Sequence, residues 1–394
     1  MGAHGAGTKV AIRFRMDRYV EQLQRESSLS PGLLSLAGGM PAPHTFPLTA
    51  LARALGGTQR DALQYDWPEG RRTLRQWIAG RLRDRGADVG ADDVLVTSGA
   101  QQALDIAVRL TLPNGRRNFR VPDACYPGAL EMFSNYGCEL VGAESEADLE
   151  YTMPVIENPT GHTLSPRARA KLLAQSHWIL EDDAYAELRF DGTTPPPLLA
   201  VARERVLHVG TLSKTLCPGL RIGWLVTPPR FREAARRAKV RADLQGNTFA
   251  QSVVERYLAQ EDYDTRLASL RALYAQNAEA LMSALKRHLP DCQFEAPCGG
   301  FSLWVTTSEA WDEVELLQAA LACGTSFDPG RDFQRNRAGQ PCAMRLSFSS
   351  LAAREMDEAV RRLSRAFRDV SRQSAPAVER SEVVALRPLA RSAS

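Results

Sequence analysis

Lysine is scarce in this chain, where Lys9, Lys171, Lys214, Lys239 and Lys286 stand against a large excess of arginine. One of them, Lys214, has neighbours suited to chemistry. The stretch Thr211-Leu212-Ser213-Lys214-Thr215 closes one apolar run and leads through Cys217-Pro218-Gly219-Leu220-Arg221 into another. An amine attacks a carbonyl once desolvation or a nearby cation lowers its pKa. Arg221, seven residues on, can supply that cation while binding phosphate. A loop lysine with structural hydroxyl neighbours fits the same residues.

Three further stretches carry chemistry-bearing groups at the ends of apolar runs. Ile179-Leu180-Glu181-Asp182-Asp183-Ala184-Tyr185 closes a strand-like run with three acids, at the place where α/β folds put ligands. A carboxylate there can keep a pyridine nitrogen protonated, making the ring an electron sink, and a tyrosine three residues later reaches the adjacent ring oxygen. The acids could equally cap the next segment. Glu157-Asn158-Pro159-Thr160-Gly161 reads alone as a turn, but it follows another apolar run. Thr97-Ser98-Gly99-Ala100-Gln101-Gln102 passes from strand to helix through glycine, so the free amides of the first helical turn offer either a phosphate site or an ordinary cap.

The elements that must position these groups are short buried strands, expected at Val94–Thr97, Asn118–Val121, Glu139–Val141, Met153–Ile156, Ile179–Asp182, Val206–Thr211 and Ile222–Val226. Helices are expected between several of them, at Gln101–Leu110 and at Ser165–Ala174, where Ser165 is the N-cap and Pro166 the first helical residue. Strand–helix alternation implies an α/β sheet. Only residues 142–150 separate two of the strands, too few for a helical crossover. Phe231 to Leu289 reads as one long spine helix. A compact α+β unit follows, with strand Phe294–Val305, helix Glu309–Ala322, strand Ala343–Ser347 and helix Ala352–Val370. From Ser371 to Ser394 no periodicity persists, and disorder is expected.

With 394 residues, 44% of them hydrophobic and 24% charged, the chain can form a large domain and a smaller one. A net charge of +3, with basic residues scattered among acids, gives nucleic-acid binding no electrostatic footprint. No run reaches membrane-spanning length without charges. Seven cysteines without a CxxC pair, and a start free of any apolar leader, fit a reducing, cytoplasmic setting. His162 and His208 receive no role. Trp67 fits a pocket wall or simple packing, and Arg71 and Arg72 could meet a substrate's distal carboxylate but in an Arg-rich chain read better as a solvated face.

Together with Leu36-Ala37-Gly38-Gly39-Met40-Pro41, Leu63-Gln64-Tyr65, Ala124-Cys125-Tyr126-Pro127-Gly128, Gly299-Gly300-Phe301 and Met344-Arg345-Leu346-Ser347-Phe348, these stretches run in family order from about Leu36 to Val370. They resemble the class I/II aminotransferases, nearest the subgroup of aminoadipate and kynurenine aminotransferases and MocR-type effector domains. The resemblance implies an α/β, aspartate-aminotransferase-like fold (fold type I). Its large domain, residues 46–285, would hold a mostly parallel seven-stranded sheet. A small α+β domain would span residues 286–372, with an N-terminal arm, 1–45, partly joined to it, and a tail at 373–394. It also implies pyridoxal 5′-phosphate as cofactor, an amino acid and a 2-oxo acid as substrates, and a homodimer.

Position by position, the resemblance makes Lys214 the cofactor-bearing lysine and Asp182 the partner of the pyridine nitrogen. Asn158 and Tyr185 would bond the ring hydroxyl and Tyr126 would stack on the ring. The phosphate would lie among Ala100, Gln101, Thr211, Ser213 and Arg221, with Tyr65 lent to the neighbouring subunit. Gly39, Asn158 and Arg345 match the substrate side, Arg345 gripping the α-carboxylate as a fork. Departures are Ala100, where a hydroxyl residue is usual, the Val121-Pro122-Asp123-Ala124-Cys125 approach to Tyr126, and the short 142–150 connection. The same cofactor also serves elimination, cyclisation, decarboxylation or oxidation. A cofactor-sensing regulatory domain is the remaining alternative, disfavoured because the roughly thirty-five residues ahead of Leu36 are too few for a winged helix.

Overall fold

The computed structural model describes residues 31–58, 60–112, 117–175, 177–308, 311–336 and 341–374. In chain order its main elements are β1 (Leu34–Ser35), α1 (Leu48–Gly56), α2 (Arg72–Asp84), β2 (Val94–Ser98), α3 (Ala100–Thr111), β3 (Asn118–Arg120), α4 (Pro127–Asn135), β4 (Glu139–Val141), β5 (Leu149–Thr152), α5 (Pro166–Leu173), β6 (Trp178–Asp182), β7 (Val206–Thr211) and β8 (Ile222–Val226). There follow α6 (Arg232–Asp243), α7 (Thr248–Gln260), α8 (Tyr263–His288), β9 (Gln293–Phe294), β10 (Ser302–Thr306), α9 (Glu313–Ala322), β11 (Thr325–Ser326), β12 (Asp328–Pro329), β13 (Ala343–Ser347) and α10 (Ala353–Ser374).

Seven strands form the central sheet in the order β2-β8-β7-β6-β5-β3-β4, all pointing one way except β8, which is antiparallel to both neighbours. Strands β6, β7 and β8 are buried along their whole length. Alternate side chains serve two cores, as the two-residue period of a strand dictates. Leu180, Leu207 and Leu225 join one cluster while Ile179, Val206 and Trp224 join the other. A four-stranded antiparallel sheet, β12-β13-β10-β9, forms a second unit with α9 and α10, and β1 adds to it by pairing in parallel with β11.

Several sequence-based boundaries shift. The strand expected at Met153–Ile156 lies at Leu149–Thr152. Met153–Ile156 is buried loop, with Pro154 in its middle and Ile156 in the left-handed region at φ 57°. The connection from β4 to β5 thus shrinks to residues 142–148 yet still joins parallel strands. Seven extended residues reach roughly 24 Å. Returning along a three-residue strand and crossing two strand spacings needs only about 14 Å.

The expected spine from Phe231 to Leu289 is three helices. It breaks at Leu244, which sits at φ 64°, and restarts where Asn247 accepts from the Ala250 amide and where Asp262 accepts from the amides of Asp264 and Thr265. The run Phe294–Val305 is two strands split by the Gly299-Gly300 turn. The helix expected from Glu309 starts at Glu313, capped by Asp312, while residues 309 and 310 lie outside the described residues. The last helix reaches Ser374 before the undescribed residues 375–394. Ser165 does cap α5. Arg71 is not solvated: it pairs with Glu255, Asp61 and Asp66. All seven cysteines are free.

Helix α8 joins the two sheets, so its start sets where the second unit sits. Asp262→Ala should lower stability by about 1 kcal/mol, the usual cost of a lost N-cap. A denaturant midpoint unchanged in that variant would show that the α8 start needs no side-chain cap.

Candidate functional site

The end of β6 buries three consecutive acids, and each is handled differently. Glu181 accepts from the amides of Leu198 and Leu199 and pairs with His208 Nδ1 at 2.9 Å. Burial pushes its pKa up, but those partners more than offset it, leaving the carboxyl below its ordinary value. Asp183 pairs with Arg85 and is nonetheless held above its ordinary value by burial. Asp182, 3% exposed, accepts from the Tyr151 hydroxyl at 2.9 Å and the Ala184 amide at 3.2 Å, and forms no salt bridge among the described residues. Burial pushes its pKa up to about 6. A buried carboxylate lacking a cation is a seat for a cationic group.

Lys214 lies in the loop after β7, its Nζ donating to the Gly39 carbonyl at 2.8 Å and standing 5.3 Å from the Tyr185 ring centre and 5.9 Å from that of Phe301. It is also close enough to Asp182 to stabilise the carboxylate. Gly39 is the hub: a side-chain carbon there would lie 3.1 Å from Arg345 Nη1 and 3.5 Å from the Tyr185 hydroxyl. Arg345 Nη1 donates to Asn158 Oδ1 at 2.9 Å, and its Nε and Nη2 donate to Asp328 Oδ2 at 3.0 and 2.7 Å. The Tyr126 hydroxyl is pushed up to about 12 by burial and by Asp182 and Tyr185, with Arg345 and Arg221 opposing. These groups therefore face one space.

An anion cradle borders it. Gly99, at φ 82°, precedes the first turn of α3. A side-chain carbon at Gly99 would run into the Arg221 guanidinium, whose Nη2 donates to the Ser98 carbonyl at 3.0 Å. A side chain at Gly223 would lie 2.5 Å from the Gly99 carbonyl carbon and 2.7 Å from the Ala100 nitrogen, so only glycine lets β8 approach this turn. The Ala100 and Gln101 amides, unpaired within the helix, open beside Arg221. Thr211 Oγ1 donates to the Ile222 carbonyl at 2.8 Å and accepts from the Ser213 amide at 3.1 Å, so it ties the loop that presents Ser213. The residues fit a phosphorylated pyridine aldehyde: an anion cradle at one end, an uncompensated buried acid at the other, and an amine between.

The structure thus gathers Lys214, Asp182, Asn158, Tyr185, Tyr126, Gly39 and Arg345 round one space, with Arg221, Ala100, Gln101, Thr211 and Ser213 at its rim. Tyr65 is elsewhere: it is 77% exposed, on a surface segment held by Thr248 bonds to the Ala62 and Gln64 carbonyls. Trp67, Leu63, Leu244 and Phe249 are exposed on and beside the same segment. Tyr151, Asp328 and Phe333 belong to the site's surroundings and are not singled out by the sequence, and His208, given no role there, is the buried partner of Glu181. Tyr151 lies on a strand whose apolar pattern Glu150 interrupts, and the meaning of Asp328 comes only from the strand opposite.

The family model described as aminotransferase class I and II matches residues 34–363. Aromatic-amino-acid aminotransferase 1 of Thermococcus litoralis is 32% identical over 86% of this chain and 88% of its own length. The 2-aminoadipate transaminase of Thermus thermophilus is 33% identical over 86% of this chain and 91% of its own. A crystal structure of the α-aminoadipate aminotransferase of Thermus thermophilus, complexed with N-(5′-phosphopyridoxyl)-L-leucine, superposes with a TM-score of 0.81 at 31% identity, covering 89% of this chain and 95% of that one.

Because the folded pKa of Asp182 is raised, the folded state holds this proton more tightly than the unfolded chain. Stability from this group therefore falls as pH rises from the ordinary carboxylate range through about 6, and stays low above it. Asp182→Asn in ligand-free protein should melt higher than the parent at pH 8, with the advantage shrinking toward pH 4. A variant melting below the parent at pH 8 would contradict this.

Proposed function

The chain belongs to the aminotransferase class I and II family and is a pyridoxal 5′-phosphate-dependent aminotransferase, and we propose that Lys214 is its catalytic lysine and Arg345 its substrate-carboxylate anchor. The observation that carries this assignment is a buried Asp182 without a salt bridge among the described residues, close enough to Lys214 to feel its charge, with Lys214 Nζ on the Gly39 carbonyl.

The cofactor, when bound, supplies an electron sink and takes up the amino group. Asp182 would hold a proton on the ring nitrogen, which would relieve the burial penalty on its carboxylate. Asn158 and Tyr185 would hydrogen-bond the ring hydroxyl, and Tyr126 would cover the ring. The amides of Ala100 and Gln101, the Ser213 hydroxyl and Arg221 would hold the phosphate, while Thr211 fixes the Ser213 loop. Arg345 grips the α-carboxylate of an L-amino acid or 2-oxo acid, and Gly39 leaves room for it. With the carboxylate fixed, Lys214 Nζ takes the proton from the substrate Cα and later returns one.

We read the chain as a cytoplasmic homodimer. The exposed Leu63, Tyr65, Trp67, Leu244 and Phe249 support a second copy covering this face, from which Tyr65 would reach the neighbouring phosphate. The free cysteines fit a reducing compartment, and among the described residues no helix is long and apolar enough to cross a membrane.

Lys214→Ala should lose turnover and the cofactor's visible absorbance band; a reducible cofactor bond at another lysine would refute the assignment. One amino acid given alone to the loaded enzyme should yield a single equivalent of 2-oxo acid and stop until a second 2-oxo acid is added. Continued turnover releasing ammonia, carbon dioxide or hydrogen peroxide would mark elimination, decarboxylation or oxidation instead. Light scattering should report twice the chain mass, and an active monomer would remove Tyr65 from the phosphate site.

A further inference from the structure

Arg345 does not wait for substrate as an uncompensated cation. It stands on β13 directly across from Asp328 on β12, and the two side chains are only 10% and 12% exposed. Asp328 Oδ2 takes both the Nε and Nη2 protons along one edge of the guanidinium and also accepts the Gly38 amide at 2.8 Å. Asn158 takes a third proton, and the guanidinium lies 4.6 Å from the Phe333 ring centre. Of five guanidinium N–H groups two are left, one on each terminal nitrogen.

We propose that Asp328 is a specificity-determining residue of the carboxylate subsite: it cancels the charge of Arg345 in advance, so the subsite holds a carboxylate by hydrogen bonds and shape with little net attraction. This rests on the reading of Arg345 as the carboxylate anchor. A ligand carboxylate on the remaining edge sits about one guanidinium width from the Asp328 carboxylate, and in a site this buried like charges are weakly screened. The penalty falls on any carboxylate anion but is relieved when the ligand brings its own positive charge. The site therefore favours zwitterionic amino acids over 2-oxo acids and simple carboxylates, which assists release of the oxo-acid product.

The opposite role is a positioning one, in which Asp328 only aims Arg345. The two predict opposite signs for Asp328→Asn, which keeps the size and an acceptor oxygen but removes the charge. In protein loaded with pyridoxal 5′-phosphate, propionate binding is measured by calorimetry at low ionic strength for the parent, Asp328→Asn and Asp328→Ser, alongside melting temperature. We expect either variant to bind propionate at least about tenfold more tightly, and KM for the 2-oxo acid to fall more than KM for the amino acid. Unchanged or weaker propionate binding in a folded variant overturns the proposal and leaves Asp328 a positioning residue. Arg345→Gln should abolish propionate binding. If it does not, Arg345 is not the anchor, and that earlier assignment falls together with this one.

Discussion

The rest of the structure is arranged around the burial of three adjacent carboxylates at the end of β6. Charges in a dry interior must be neutralised, hydrogen-bonded or protonated. Glu181 recruits two amides and a histidine from β7, and Asp183 recruits Arg85 from the residue after α2. These arrangements tie strand, helix and loop together on one face of the sheet. Asp182, between them, faces the other way and receives only a tyrosine hydroxyl and one amide. The two flanking acids have ion-pair partners within the protein; the middle one has none among the described residues and feels Lys214 only at longer range, so burial still holds it up. Its stability cost is thus the counterpart of its chemistry.

The lone reversed strand has the same logic. Parallel strands bring their carboxyl ends, and hence Ser98, Asp182 and Thr211, to one edge of the sheet. A residue at the start of a strand reaches that edge only if its strand runs backwards. Strand β8 does so between β2 and β7, pairing Ile222 with Ser98 and Gly223 with Thr211. Arg221 is thereby delivered beside the helix turn of Gly99 and Ala100. It adopts φ 55°, sparsely populated for a residue with a side chain, to turn its guanidinium back over that glycine. The tight packing of Gly223 on Gly99 holds the strained pair in place.

Much of this was legible because chemistry-bearing residues interrupt apolar runs at strand ends, and the interruption is a local signal. What was not legible depended on partners distant in sequence. The strand at Leu149–Thr152 was passed over because Glu150 breaks its apolar pattern. That charge is tolerated because Arg120 on the neighbouring strand and His177 both reach it. The all-apolar Met153–Ile156 looked more like a strand, yet its burial is that of a loop folded into the core. Helical periodicity continues across a break, so the pattern from Phe231 to Leu289 reads as one helix where the chain forms three. The caps at Asn247 and Asp262 were in the sequence and should have outweighed it. Asp328 had no local signal at all, since its meaning comes only from the strand opposite.

Two departures from the family pattern prove to be one structural feature. Asp123, in the unusual approach to Tyr126, pairs with Arg335 at 2.8 Å and accepts the Arg335 amide through its carbonyl at 3.0 Å. Gly142, which opens the shortened connection, lies against the same guanidinium, and a side-chain carbon there would come within 2.9 Å of Nη2. The shortened loop and the acid together form a seat for an arginine from the second unit. Beside it the Cys125 amide donates to the Phe333 carbonyl, and the Phe333 ring lies under Arg345. The segment Phe333–Arg335 therefore touches the proposed carboxylate anchor at one end and the approach to Tyr126 at the other. The altered residues therefore sit against the segment that lies under Arg345, apart from the groups round Lys214 and Asp182.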